Sequence, residues 1–227
     1  MSNSVPVHLR MLLAALAALM SLVLSASVLT LPAGTSDLAD SVFSLMDKSG
    51  ADHPVTAVLL NFRGYDTMLE IGVLLLALVG VWSFGPAPPD PATLAPAGPV
   101  LDSARSVLLP MLLIVAGYLI WVGASAPGGA FQAGAIVAAA GVLAMLTGWR
   151  PIPALRPAIE VGLALGLLVF VGVAGGTLSY VGTILLLPEE AAGSMILLIE
   201  VAATISIGLA LTAVYLGGSP SHWAETR

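Results

Sequence analysis

The 227-residue chain contains no cysteine, and charged residues make up only 9% of it. Without cysteine it can form no disulfide and no metal or iron–sulfur site built on thiolates. The histidines His8, His53 and His222 lie far apart and share no helical spacing, so we predict no metal site. The chain also lacks a phosphate-binding loop and a recognisable nucleophile–base pair. These absences predict a protein that is not an enzyme and uses no cofactor.

Apolar residues dominate the rest of the composition. They make up 58% of the chain, and the mean hydropathy is +1.03. A soluble domain of this size cannot bury so much apolar surface, so the composition predicts an all-α protein that crosses a lipid bilayer several times. The net charge of −6 identifies no partner, because the acidic residues are divided between loops and apolar segments. No nucleic-acid partner is predicted.

Six apolar segments are predicted to be transmembrane helices. The first contains more than twenty apolar residues, enough to span a bilayer, so a retained helix is expected rather than a cleaved signal peptide. Proline and glycine end the segments. The predicted helices cover residues 7–31, 55–84, 102–124, 131–148, 158–178 and 192–216.

The positions of lysine and arginine predict the orientation in the membrane. Six crossings put both termini on one side, and most basic residues fall on that side, whereas the opposite side has only Lys48. Because cytoplasmic loops are enriched in lysine and arginine, we predict that both termini are cytoplasmic. The basic residues on the predicted cytoplasmic side are Arg10, Arg105, Arg150, Arg156 and Arg227.

A proline-rich stretch, GPAPPDPATLAPAGP at residues 85–99, divides the chain into two predicted modules. Such a composition is typical of an extended, semi-rigid linker. We predict a two-helix module at residues 1–84, a cytoplasmic linker at 85–104 and a four-helix module at 105–227.

The second predicted helix carries three charged residues, Arg63, Asp66 and Glu70. Their spacing places them on one helical face, and Gly64 marks a position where the helix can kink. If the helix is continuous, Glu70 lies near the bilayer centre, where a charged residue costs about 2.5–3.5 kcal/mol. Two interpretations stay open. Arg63 and Asp66 form a structural ion pair beside a hydrogen-bonded Glu70, or Glu70 is a protonatable relay group.

Two more glutamates lie in predicted helices. Glu160 begins the fifth helix one turn after Arg156, where the helix dipole and the arginine favour a structural carboxylate. Glu200 lies in the apolar run GSMILLIEVAATISIGLAL of the last helix, with Thr204 one turn away and no basic residue nearby. Such an acid must be neutral or meet a partner from another helix or chain. Glu200 is therefore either a relay residue or a structural acid.

The segment PGGAFQAG, at residues 127–134, predicts a tight turn before the fourth helix. Pro127 restricts φ, whereas Gly128 and Gly129 permit positive φ and close backbone approach. Small residues at positions 134, 138 and 141 then favour close helix packing in lipid. The turn is either purely structural or part of a water or ion path.

The motif LNFRGYDTMLEIGVLLLALVGVW in the second helix resembles a known signature. It is similar to the FRG-(F/Y)-DT-x-x-E pattern in the late part of the A subunit of Mrp-type cation/proton antiporters. The same pattern occurs in a small subunit of membrane-bound hydrogenases. These families usually have aspartate at the position of Asn61.

From Ser106 onwards the chain resembles the B subunit of Mrp antiporters, the MnhB family. The resemblance rests on LLPMLLIVAGYLIWVGASAPGGAFQAGAIVAAAGVLAMLTG and extends over residues 105–216. The family's turn reads PGGGFQGG, so Ala130 and Ala133 replace two glycines. Glu160 matches a glutamate after the arginine- and proline-containing connector. The lysine that members often carry in the last helix is missing.

Together the resemblances imply a fusion of the FRGYDT module with a B-type subunit. They imply a membrane subunit of a multi-subunit Na⁺/proton antiporter in the cytoplasmic membrane of a bacterium or archaeon. Its partners would be the other subunits, Na⁺, H⁺ and lipid. Glu70 would relay protons or cations, Asp66 and Arg63 would tune it, and Glu200 and Glu160 are further candidates.

Two alternatives remain open at this point. The chain is also compatible with the ion-translocating arm of an energy-converting hydrogenase or another complex-I-like redox complex. A third interpretation is a packing subunit whose acidic residues are all paired.

Overall fold

A computed structural model describes residues 7–31, 37–84, 98–149 and 153–217, which form helices and connecting turns without any strand. The all-α prediction is therefore confirmed for these residues. The helices are α1 (Val7–Leu29), α2 (Asp37–Ser44), α3 (Pro54–Ala57), α4 (Gly64–Ser83), α5 (Pro99–Val122), α6 (Ala130–Leu146), α7 (Arg156–Val181) and α8 (Ala192–Leu216).

The chain divides into two compact units, residues 1–41 and 42–227. The first contains α1, a helix of 23 residues that is apolar and long enough to cross a bilayer. In the second unit, α4 packs against α7 and α8. The predicted module boundary at residues 85–104 stays a prediction, because residues 85–97 lie outside the described part of the chain.

Helix α8 is the centre of the second unit, and glycines let its neighbours approach closely. Gly134 of α6 packs on Ile207, and Gly141 packs on Thr212, so α6 and α8 run in the same direction. These contacts use the predicted face of small residues. A Cβ atom at Gly134 would lie only 2.7 Å from the Ile207 side chain, so a larger residue would push the two helices apart.

Helix α7 packs on another side of α8 in the opposite direction. Gly166 lies against Ala203 and Ser206, and the Ser206 hydroxyl donates a hydrogen bond of 2.5 Å to the Leu163 carbonyl oxygen. This bond satisfies a hydroxyl group that is buried between apolar helices, where an unpaired polar group is costly. Hydroxyl and glycine together hold α7 and α8 at short distance.

The stretch from Val55 to Phe84 is interrupted and does not form one continuous helix. Short α3 leads into a π-helical turn, Val58–Phe62, and the regular helix resumes at Gly64. The Arg63 amide donates to the Val58 carbonyl at 2.7 Å, and the Thr67 hydroxyl donates to the Leu59 carbonyl at 2.6 Å. The break coincides with the predicted kink, and the threonine hydroxyl binds a carbonyl oxygen in the interrupted region.

In the part of the chain that the structure describes, five helices are long and apolar enough to cross a membrane, namely α1, α4, α5, α7 and α8. The fourth predicted segment, residues 131–148, corresponds to α6, which has only 17 residues. Helix α6 begins beside Thr204, whose hydroxyl oxygen lies 3.5 Å from the Ala130 carbonyl oxygen. Thr204 lies about 18 Å along α8 from the first residue of that helix, Ala192. The beginning of α6 is therefore level with the middle of α8 and not with its first turn. The prediction of six crossings therefore stays a prediction, because α6 is shorter than the five helices of spanning length in the described part of the chain.

Candidate ion-relay site

The turn between α5 and α6 brings backbone atoms unusually close together. The Gly129 amide donates to the Leu119 carbonyl at 2.9 Å, which folds the turn back onto the end of α5. Gly129 has φ = +105°, and a Cβ atom at Gly128 would lie 2.5 Å from the Leu119 carbonyl oxygen. Gly129 therefore has the positive φ that the sequence predicted, and Gly128 makes the predicted close approach between backbone segments. Pro127 is exposed at the outer side of the turn.

The Glu200 carboxyl group lies directly against this turn. Its Oε1 atom is 3.0 Å from the position that a Cβ atom would take at Gly129, and 3.2 Å from the corresponding position at Gly123. The residue is only 2% exposed, and Oε2 has no hydrogen-bond partner among the residues that the structure describes. Two candidates that the sequence presented separately, the glycine turn and Glu200, thus form one site.

Residues of the segment before α4 cover the turn. The amides of Asp52 and His53 donate to the Ala124 carbonyl at 2.8 Å and 2.9 Å, and the buried Thr56 hydroxyl donates to the Gly123 carbonyl at 2.5 Å. The carbonyl groups around Glu200 are therefore satisfied from a segment almost seventy residues earlier in the chain.

Further contacts hold the covering segment on the beginning of α8. Gly50 has φ = +75°, and a Cβ atom there would lie 2.5 Å from the Ala192 side chain. The Asn61 side-chain amide donates to the Ser49 carbonyl at 2.9 Å, so Asn61 has a structural hydrogen bond. Thr56, Gly123 and this cover could not be predicted from the sequence, because local patterns contain no information on such long-range pairs.

The three charged residues that follow the π-helical turn, Arg63, Asp66 and Glu70, form a group separate from the site around Glu200. Arg63 and Asp66 form an ion pair, as the structural interpretation predicted. Glu70, one turn further along α4, is exposed, whereas Thr67 and Ile71 on the same helix are buried. Among the described residues, Glu70 takes part in no ion pair within 4.0 Å. The exposed face of α4 therefore carries a carboxyl group without a charged partner in this part of the chain.

Glu160 has the structural setting that the sequence suggested. The Arg156 Nε atom donates to the Glu160 carboxylate at 2.8 Å, one turn apart at the beginning of α7, and both residues are exposed. Exposed pairs of this kind contribute about 0.3–0.5 kcal/mol. Across the described residues, no three histidine, aspartate or glutamate side chains come together as a metal site.

Residues 100–217 match a family described as "Domain related to MnhB subunit of Na+/H+ antiporter". The match covers more than half of the chain. The chain belongs to this family. The resemblance to MnhB that the sequence analysis stated is confirmed, and the matched region contains Glu200, the glycine turn and nearly all of the four helices α5 to α8.

A curated relative matches a shorter stretch. The chain is 49% identical over 37 residues to the A subunit of the Na(+)/H(+) antiporter of Bacillus subtilis (strain 168). The similarity spans 16% of this chain and 5% of that protein, so the chain matches only a small part of its relative.

Two solved structures have similar folds. A chain of the membrane-bound sulfane sulfur reductase, an archaeal respiratory membrane complex, gives a TM-score of 0.68 at 24% identity, and the alignment covers 92% of this chain and 97% of that one. A chain of the Mrp complex from Dietzia sp. DQ12-45-1b gives a TM-score of 0.59 at 19% identity over 96% of this chain and 27% of that one. Both are similarities of fold.

Proposed function

We propose that this chain is a membrane subunit of a multi-subunit antiporter that exchanges Na⁺ for protons across the cytoplasmic membrane of a bacterium or archaeon. Membership of the MnhB-related family supports this proposal, and so does the similarity to the antiporter's A subunit and to a chain of the Mrp complex. The chain crosses the membrane six times with both termini in the cytoplasm, and α6 is the shortest crossing. Other subunits of the complex are its partners, and it has no enzymatic activity of its own.

The observation that carries the proposal is the buried carboxyl group of Glu200 against the α5–α6 turn. In an apolar interior, an unpaired carboxyl oxygen calls for a proton, a cation or a hydrogen-bond donor. Oε2 has no such partner among the described protein groups, so a mobile proton or cation can bind there. Glu200 is therefore a relay residue, and the glycines of the turn let the backbone approach it.

The proposal assigns a different role to each of the other acidic residues. Glu70 is a second relay candidate on the exposed face of α4, and Asp66 and Arg63 set its electrostatic surroundings. Glu160 stabilises the beginning of α7 through Arg156 and has no part in transport.

The test is cation-driven proton flux in everted membrane vesicles from cells that express the whole operon. We expect Glu200→Gln to abolish exchange while the complex still assembles, because the amide keeps the shape but cannot release a proton. Glu160→Gln is the matched control and should retain wild-type flux. Wild-type flux and pH profile in Glu200→Gln would contradict the relay role and leave Glu200 as a structural acid.

The N-terminal part of the chain is, on this proposal, a fused module that resembles the end of the Mrp A subunit. The FRGYDT motif supports this. In the fold, the segment before α4 covers the Glu200 turn, so the fusion places both parts of the site in one chain.

A second candidate is the membrane arm of a redox-linked complex. It is favoured by the fold match to the sulfane sulfur reductase complex, where the alignment spans 97% of the matched chain. Affinity purification through this chain distinguishes the two. Co-purification with antiporter components alone supports the first function, whereas co-purification with redox components supports the second.

A further inference from the structure

Helix α4 has one buried and one exposed side. Thr67, Ile71 and Leu78 are buried against the rest of the chain. The opposite side exposes large side chains, of which Val73 is 64% exposed and Leu76 is 71% exposed. In a membrane-spanning helix, such a side faces lipid or another chain. We call it the α4 outer face, and it consists of Tyr65, Leu69, Glu70, Val73 and Leu76.

A carboxyl group makes lipid a poor neighbour for this face. Arg63 and Asp66 neutralise each other, which leaves Glu70 without a charged partner in the described part of the chain. A charged residue inside the bilayer is energetically costly, and such residues usually pair inside helix bundles. The α4 outer face therefore combines an apolar surface suited to helix packing with a negative charge that a basic residue of a partner can neutralise.

A second copy of this chain does not supply that charge. In the same membrane orientation, a second copy of α4 would bring another Glu70 to the same depth, and like charges repel. The chain has seven basic residues in all, and the one nearest to Glu70 in the sequence, Arg63 directly before α4, is already paired with Asp66. Among the other basic residues that the structure describes, Lys48 lies in a connecting segment, and Arg10, Arg105 and Arg156 lie near the beginnings of helices.

We propose that the α4 outer face is a docking surface for a transmembrane helix of another subunit, and this inference rests on the proposed function. The docked helix places a lysine or arginine opposite Glu70. Leu69, Val73 and Leu76 form the apolar contact on this surface, and the ion pair fixes the register of the two helices. This interface lies on the side of α4 opposite to the one packed against α7 and α8.

The first experiment maps the neighbour of this face by site-specific photo-crosslinking in membranes that contain the whole complex. A benzophenone amino acid replaces Val73, and the matched control places it at Ile71, which is buried inside the chain. We expect the Val73 probe to form an adduct with another operon-encoded subunit, mapped by mass spectrometry to a transmembrane helix with a lysine or arginine. The Ile71 probe should give no adduct between chains. Adducts from Val73 only to lipid, or only to a second copy of this chain, would overturn the proposal.

The second experiment tests the charge. Glu70→Lys should reduce co-purification of the cross-linked subunit by roughly tenfold or more, because it opposes two positive charges, and reversal of the partner's basic residue should restore it. Glu160→Lys is the control and should leave co-purification unchanged. If Glu70→Lys assembles normally but loses ion exchange, the docking surface is wrong and the proposed function stands. If the wild-type chain co-purifies with no antiporter component, the proposed function itself fails.

Discussion

At Gly129 the backbone has a positive φ, and a Cβ atom there would lie 3.0 Å from the Glu200 Oε1 atom. Only glycine readily accepts this region of backbone space, and for a residue with a side chain the strain costs about 1–3 kcal/mol. The same residue type also leaves the space in which the carboxyl oxygen lies. Glycine is thus required here both for the turn and for the surroundings of Glu200.

We predict that Gly129→Ala lowers the apparent melting temperature of the purified protein in detergent, because it adds strain and places Cβ 3.0 Å from Glu200 Oε1. Gly72→Ala in α4 is the matched control, since a Cβ atom there meets nothing within 4 Å. The control should be neutral or slightly more stable because alanine favours helix formation. Equal melting temperatures for Gly129→Ala and wild type would refute the requirement for glycine.

At the scale of the helix, short α3 connects the N-terminal part of the second unit to the α5–α6 turn. Its Thr56 hydroxyl is buried and donates to the Gly123 carbonyl, while Asp52 and His53 bind the neighbouring Ala124 carbonyl. These bonds satisfy backbone carbonyl groups of the turn that burial between apolar helices would otherwise leave unpaired. The covering segment therefore stabilises the turn between α5 and α6.

We predict that Thr56→Val destabilises the protein by about 1–3 kcal/mol, because valine keeps the shape but leaves the Gly123 carbonyl without its donor. Thermal unfolding in detergent measures the effect. Thr147→Val is the control, since that hydroxyl bonds only to carbonyls of its own helix. A loss in Thr56→Val no larger than in the control would mean that the hydrogen bond between the two segments contributes little.

At the scale of the whole chain, the helices of the second unit alternate in direction. Helices α4, α6 and α8 run one way, and α5 and α7 run the other, as consecutive membrane crossings require. Arg105 and Arg156 lie near the beginnings of α5 and α7, the ends that the sequence assigned to the cytoplasm. Lys48 and Glu189 approach each other at 3.6 Å in the segments assigned to the opposite side. The proposed orientation follows from this distribution.

We expect a reporter enzyme fused after Arg227 to be active only as a cytoplasmic reporter, and one inserted between Pro188 and Ala191 to be active only outside. The control is a fusion truncated after α7, which should also report outside. An external signal from the fusion after Arg227 would contradict the orientation and the count of six crossings together.

Much of this architecture could be predicted from the sequence because membrane helices are encoded locally. Long apolar runs, the proline and glycine that end them, and the kink at Arg63 and Gly64 depend on neighbouring residues only, and the structure agrees with them. The FRGYDT and PGGAFQAG motifs identified relatives for the same reason. The small residues at 134 and 141 indicated a packing face, and the structure has them against α8.

The pairing of distant segments depended on tertiary packing. The sequence did not indicate that Glu200 lies against Gly129 or that Thr56 binds the carbonyl of Gly123. Each of these contacts joins residues many positions apart, and helix periodicity contains no information on which faces meet. Burial has the same origin, because Glu70 and Glu200 both lie in apolar helices, yet packing exposes the first and encloses the second.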